Sequence, residues 1–176
     1  MATSTPPPAD GASALPPEPV HERLDTLAAQ TAAIDRLVEL ARLSIRVFDG
    51  DLAQTGWGSI ARTEGLARFL RGSRHARLEI IVHDTRWIEA SAPRLRDLLR
   101  QFSHAMTIYR TGAGARAIAD PLVIVDGRHY LHRLHLDHPR AVLGVDAPQD
   151  ARPLVTRFEE IWATGEPGLT GTTLGL

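Results

Sequence analysis

Apolar positions recur along the chain with two different periods, and the period changes mark the elements. From Glu22 to Arg42 the residues Leu24, Leu27, Thr31, Ile34, Val38 and Ala41 fall at alternating spacings of three and four, which predicts a helix with one inward seam. Leu43, Ile45 and Val47 then alternate with Ser44 and Arg46, the period of a strand over 43–49. A second helix is predicted over 59–71, with Ile60, Leu66, Phe69 and Leu70 on one face and Gly72 at its end. Strands at 77–82 and 106–109 flank a third helix beginning near Ser91, with Pro93 in its first turn.

The second half reads differently. Leu122, Val123, Ile124 and Val125 form an unbroken apolar run that ends in Asp126-Gly127, the pattern of a buried strand closed by a turn. A hairpin strand over 129–134 and another over 141–145 follow, and a last helix over 151–162 carries Leu154, Val155, Phe158, Ile161 and Trp162 inward. Helices alternating with strands, then strands in succession, predict an α/β fold: a mixed β-sheet sandwiched by helices. The predicted domain runs over 20–165. Residues 1–19, with six prolines among Ala, Ser and Thr, cannot bury enough apolar surface to offset ordering and are expected as a disordered tail, and 166–176 as a second tail.

Composition narrows the chemistry. The chain has 176 residues, a formal net charge of -1 and no cysteine, so thiolate chemistry and disulfides are excluded, and any anion site has to be local. All 20 basic residues are arginine, which removes Schiff-base amines and lysine-dependent phosphate loops. No apolar run reaches membrane-spanning length and no basic-then-apolar leader opens the sequence, so a cytoplasmic protein with no membrane partner is expected.

The run from Ala119 to Gly127 resembles the motif of the phospholipase D superfamily: His, any residue, Lys, four apolar residues, Asp, commonly Gly. Asp126 and Gly127 match, while Ala119 stands at the His position and Pro121 at the Lys position. The resemblance implies a single phospholipase D-like half domain in which the attacking imidazole and the phosphate-gripping amine are replaced. It also implies a homodimer or an orphan half, since active relatives join two such motifs. The stretches Ala41–Asp49, Pro93–Arg100, Ser103-His104 and Phe158–Trp162 are similar to a phospholipase D-like domain found in proteobacteria, often at the carboxyl end of GNAT acetyltransferases.

These considerations give a non-catalytic binding or regulatory module, without cofactor or metal, for a phosphorylated ligand, nucleic acid or protein partner. The candidate contacts are Ser103, His104, Arg110, Arg116, Asp126 and Arg133, because guanidinium forks suit phosphate. The alternative is a divergent phosphohydrolase resembling the haloacid dehalogenases, with Asp49 and Asp51 after the first strand and Asp146 and Asp150 as a later acidic pair. His129, His132, His135 and His138 recur every third residue, which strand alternation does not bring to one face, so a metal is not expected there.

Overall fold

A computed structural model describes residues 18–171; residues 1–17 of the expected amino-terminal tail and the last five residues of the expected carboxyl-terminal tail lie outside them. The chain forms one eight-stranded mixed sheet with helices on both faces, the α/β architecture expected. In chain order the elements are β1 (Val20–Leu24), α1 (Leu27–Leu40), β2 (Ser44–Asp49), α2 (Ile60–Gly72), β3 (Arg77–Val82), α3 (Arg86–Ser91), α4 (Pro93–Gln101) and β4 (Met106–Arg110). Then follow a single 3-10 turn (Ala113–Ala115), β5 (Leu122–Val125), β6 (His129–His135), β7 (His138–Val145), α5 (Pro148–Ala163) and β8 (Glu166–Leu169).

The strand order is β1-β7-β6-β5-β2-β3-β4-β8. β2, β3 and β4 are parallel, joined by helical crossovers, whereas β5 lies antiparallel against β2, so that Phe48 at the end of β2 faces Leu122 at the start of β5. Strand alternation then sorts the core. Ile45, Val47, Leu78, Ile80, Ile108, Val123 and Val125 point to the face covered by α1, α2 and α4; Phe48, Ile81, Leu122 and Ile124 point to the face covered by α5, against Phe158 and Ile161. Each of these fully buried aliphatic side chains contributes about 1.5–3 kcal/mol of burial.

The sequence reading does not predict the short helix Arg86–Ser91 and starts β7 and α5 three residues late, and it differs most at the two ends of the chain. The predicted first helix begins late, because Val20–Leu24 pairs antiparallel with β7 and the helix starts only after Thr26, whose hydroxyl caps it by accepting from Ala29 N at 3.1 Å. Leu24 is still buried, but from a strand. Glu166–Leu169, expected as part of a tail, is an edge strand on β4. The domain therefore closes its sheet with both terminal segments.

Candidate functional site

The carboxyl ends of β2, β3 and β4 meet the start of β5 and the end of β6 at one end of the sheet, and Ala119 and Pro121 lie there. β2 runs into a tight acidic turn in which Gly50 N donates to Asp49 Oδ1 at 2.6 Å and Ala53 N to Asp51 Oδ1 at 2.9 Å. The backbone N–H groups of His83 and Asp84 fasten this turn to β3 through the Gly50 carbonyl. Burial pushes the Asp49 carboxyl up to about 6, against the opposing pull of the Gly50 N–H and of the positive charge on Arg133.

The β6–β7 turn folds over this end. Leu136 N donates to the Ala119 carbonyl at 2.7 Å, and a Cβ built on Gly50 would stand 3.1 Å from the Leu136 side chain. Arg133, only 4% exposed, holds the turn shut: Nη1 donates to Gln54 Oε1 at 2.7 Å, Nε to the His138 carbonyl at 2.9 Å, and Nη2 to the Leu136 carbonyl. Strand alternation explains its burial, since Arg133 shares the core-facing side of β6 with Leu131.

The other face of the same end is also internally satisfied. His83 Nε2 is 2.7 Å from the Ile118 carbonyl, which can only accept, so in the neutral ring Nε2 carries the proton and Nδ1 accepts from the Thr111 hydroxyl at 2.7 Å. Asp120 receives His132 Nε2 at 3.0 Å and Arg157 Nη2 at 2.5 Å. Burial alone would raise its carboxyl, but these two donors outweigh burial and hold it below the usual carboxylate range. Gln54, Leu136, His83, Thr111, Asp120 and Arg157 were not singled out from sequence, because their roles come from contacts between distant segments.

The six sequence candidates do not converge. Arg110, Arg116 and Arg133 lie at the motif end: Arg110 donates to Glu166 at 3.3 Å, Arg116 is exposed after the 3-10 turn, and Arg133 is buried as described. Ser103, His104 and Asp126 lie at the opposite end of the sheet. Ser103 and His104 are exposed in the turn between α4 and β4. Asp126, at φ 52°, is a backbone staple: Oδ1 accepts from Leu43 N and Ser44 N, both at 2.8 Å, and Oδ2 from Arg42 N at 2.9 Å.

The acidic constellation of the phosphohydrolase alternative is not assembled either. Asp146 follows β7 beside Arg128 and His129, at the end of the sheet where β2 begins, about 16 Å of strand away from Asp49. Among the described residues no three His, Cys, Asp or Glu side chains are grouped to hold a metal ion. The four histidines of the hairpin separate: His129 accepts from Asp146 N at the far end, His132 pairs with Asp120, and His135 lies across the strand pair from His138.

Residues 26–170 match the family described as "Domain of unknown function (DUF7931)". No curated protein matches. Among solved structures, the archaeal chromatin protein TrmBL2, whose structure is described as showing a novel mode of DNA binding, superposes with a TM-score of 0.65 at 11% identity, over 89% of this chain and 56% of that one. Nuc from Salmonella typhimurium, a phospholipase D family member, gives 0.59 at 12% identity over 87% of this chain and 100% of Nuc. The phosphatidylserine synthase of Haemophilus influenzae Rd KW20 gives 0.55 at 16% identity over 84% and 38%. This chain thus spans just over half of the chromatin protein and the whole of Nuc. The fold is phospholipase D-like.

Proposed function

This chain belongs to the DUF7931 family, and we propose that its phospholipase D-like domain no longer catalyses at the motif end and works instead by binding a phosphate-bearing partner. The observation that carries the reading is that the motif end has lost its reactive pair and spends its remaining polar groups on protein partners. Ala119 offers no nucleophile and Pro121 no charge, and the Leu136 side chain packs against Gly50 in the turn after β2. The one guanidinium buried there, on Arg133, is engaged by three protein acceptors. Phosphoryl transfer needs a nucleophile and developing-charge stabilisation at the same point, and the two motif positions that would supply them hold Ala119 and Pro121.

Among phosphate-bearing partners, nucleic acid is favoured. Many arginines remain exposed on a chain of nearly zero net charge, and a protein of the same fold is described as binding DNA, an argument by analogy of fold. The test pairs two measurements on the full chain. Hydrolysis of bis-p-nitrophenyl phosphate is expected to match the buffer rate, with and without magnesium. Labelled duplex DNA is expected to bind with an affinity that falls log-linearly with salt. Turnover that disappears in Asp49→Asn would restore the hydrolase reading. Failure to bind any phosphate-bearing probe at low salt, inorganic phosphate and nucleotides included, would remove the binding reading.

A further inference from the structure

We propose that the outer face of α2 and α4 is the surface that receives the backbone of duplex nucleic acid. The inference rests on the binding reading above and supplies what that reading lacks, a place for the partner. Segments 60–77 and 93–104 hold eight arginines against two acids, Glu64 and Asp97, while the rest of the chain holds twelve arginines against nineteen acids. A protein of net charge -1 therefore carries one basic layer.

The helices put that charge outside for a simple reason. α2 buries Leu66, Phe69 and Leu70, with Thr63, Gly65 and Ala67 beside them, and α4 buries Leu95, Leu98 and Leu99, which leaves one face of each helix toward water. Arg68, Arg71, Arg94, Arg96 and Arg100 are exposed there, and Arg74 and Arg77 continue the row beyond α2. Arg62 is the exception; it is buried against Trp57 and donates to Asp35 at 2.5 Å, so it belongs to the packing of α1 on α2.

A groove of about 440 Å³ runs between α2 and α4, with Arg68, Arg71 and Arg94 among its lining residues. Of the two acids on it, Asp97 is ion-paired with Arg100, and none of the three groove arginines is in an ion pair among the described residues. Arg71 is also pre-positioned, with its guanidinium 5.7 Å over the ring of Phe102, which leaves its N–H edges free for an acceptor. Three unpaired forks along one groove suit a run of phosphates, each of which can accept two parallel N–H bonds.

The same face argues for a duplex over a single strand. Recognition of single strands needs exposed rings on which bases stack. Phe69 and Phe102 are buried, and α2 and α4 carry no other aromatic side chain. A duplex keeps its bases stacked inside and presents only phosphate, which is what this surface can read.

The experiment is anisotropy of a short labelled DNA duplex with the full chain across a salt series. Arg68→Ala, Arg71→Ala and Arg94→Ala are each expected to weaken binding and to lower the slope of log K against log salt by about 0.9, and the triple Glu variant to abolish binding. Arg110→Ala, Arg116→Ala and Arg140→Ala are expected to leave affinity and slope as in the wild type. Thermal melting of the single variants should match the wild type, so a folding defect in the triple variant does not blunt the test. Duplex binding that survives the triple variant, or that falls with Arg110 and Arg116 instead, overturns this surface and leaves the binding module standing. Equal binding of a single strand overturns the duplex assignment. Equal competition by polyglutamate makes the face a docking site for acidic protein and overturns the nucleic-acid assignment.

Discussion

Arg133, Arg157 and Arg110 at the motif end and Arg68, Arg71 and Arg94 on the α2–α4 layer have the same side chain and opposite situations. Arg133 is buried and its guanidinium is divided among Gln54, Leu136 and His138; Arg157 sits on Asp120 and Arg110 on Glu166. Arg68, Arg71 and Arg94 line an open groove without a carboxylate in any of their ion-pairing positions. A guanidinium that already donates to protein acceptors stabilises the fold and has little left for a ligand. One that faces water unpaired contributes little to stability and keeps its donors free. Position in the motif is thus a poor guide to binding here, and the state of the donors is a better one.

The comparison breaks most easily at Arg133. Truncation to Ala leaves the carbonyls of Leu136 and His138 and the Gln54 amide oxygen without their donor at a part-buried site, and each hydrogen bond to a charged donor contributes about 1.5–3 kcal/mol. Arg133→Ala is expected to lower unfolding free energy by about 3 kcal/mol or more in urea denaturation, and to expose the Leu136 amide to hydrogen exchange. A loss below about 1 kcal/mol would mean that the hairpin closes without it, and that the motif end is less sealed than its hydrogen bonds indicate.

Asp126, at the opposite end of the sheet, is expected to show the next largest effect. Its carboxylate caps three consecutive backbone N–H groups, and its φ of 52° lies in the left-handed region. Asp126→Ala removes the acceptors and adds backbone strain, for a loss of about 2–3 kcal/mol by thermal or urea unfolding. Asp126→Asn tolerates the left-handed backbone and keeps one oxygen, so its loss should be smaller. Duplex binding should be unchanged in both; a change would tie the far end of the sheet to the ligand.

Much of the sheet was legible in the sequence. The strand over 77–82 was placed at its observed ends, and the apolar run 122–125 was recognised as buried because nothing in it alternates. β1 and β8 were missed for a physical reason. Val-His-Glu-Arg-Leu is mostly exposed and Glu-Pro-Gly-Leu has two poor strand formers, so each is a strand only because a neighbour offers it hydrogen bonds. The site was less legible. Alternation through His129, Leu131 and Arg133 already implied a core-facing arginine, but its acceptors come from two other segments. The pairing of Asp49 with Asp146 could be tested only against strand order, since nothing local says which end of the sheet a strand's terminus occupies. The arginine row at 68, 71, 74 and 77 was visible in the sequence, yet its meaning depended on α4 bringing Arg94 alongside.

Asp49 offers the finest probe of how closed the motif end is. Its folded value of about 6 lies above its ordinary 3.8, so the folded chain holds that proton more tightly than the unfolded chain does. The resulting stabilisation is fully present below about pH 4 and is lost as pH rises through about 6, leaving a buried charge at neutral pH. Asp49→Asn keeps an oxygen for the Gly50 N–H and carries no charge. Discounted for the partial exposure of the residue, the variant is expected to gain about 1–2 kcal/mol over wild type at pH 8, and to lose that advantage by pH 4, in parallel thermal melts. A gap that stays constant with pH would show that Asp49 does not titrate in a closed site. Water would then reach the turn beneath Leu136, and the contrast between a sealed motif end and an open helical layer would weaken at the point where it is drawn.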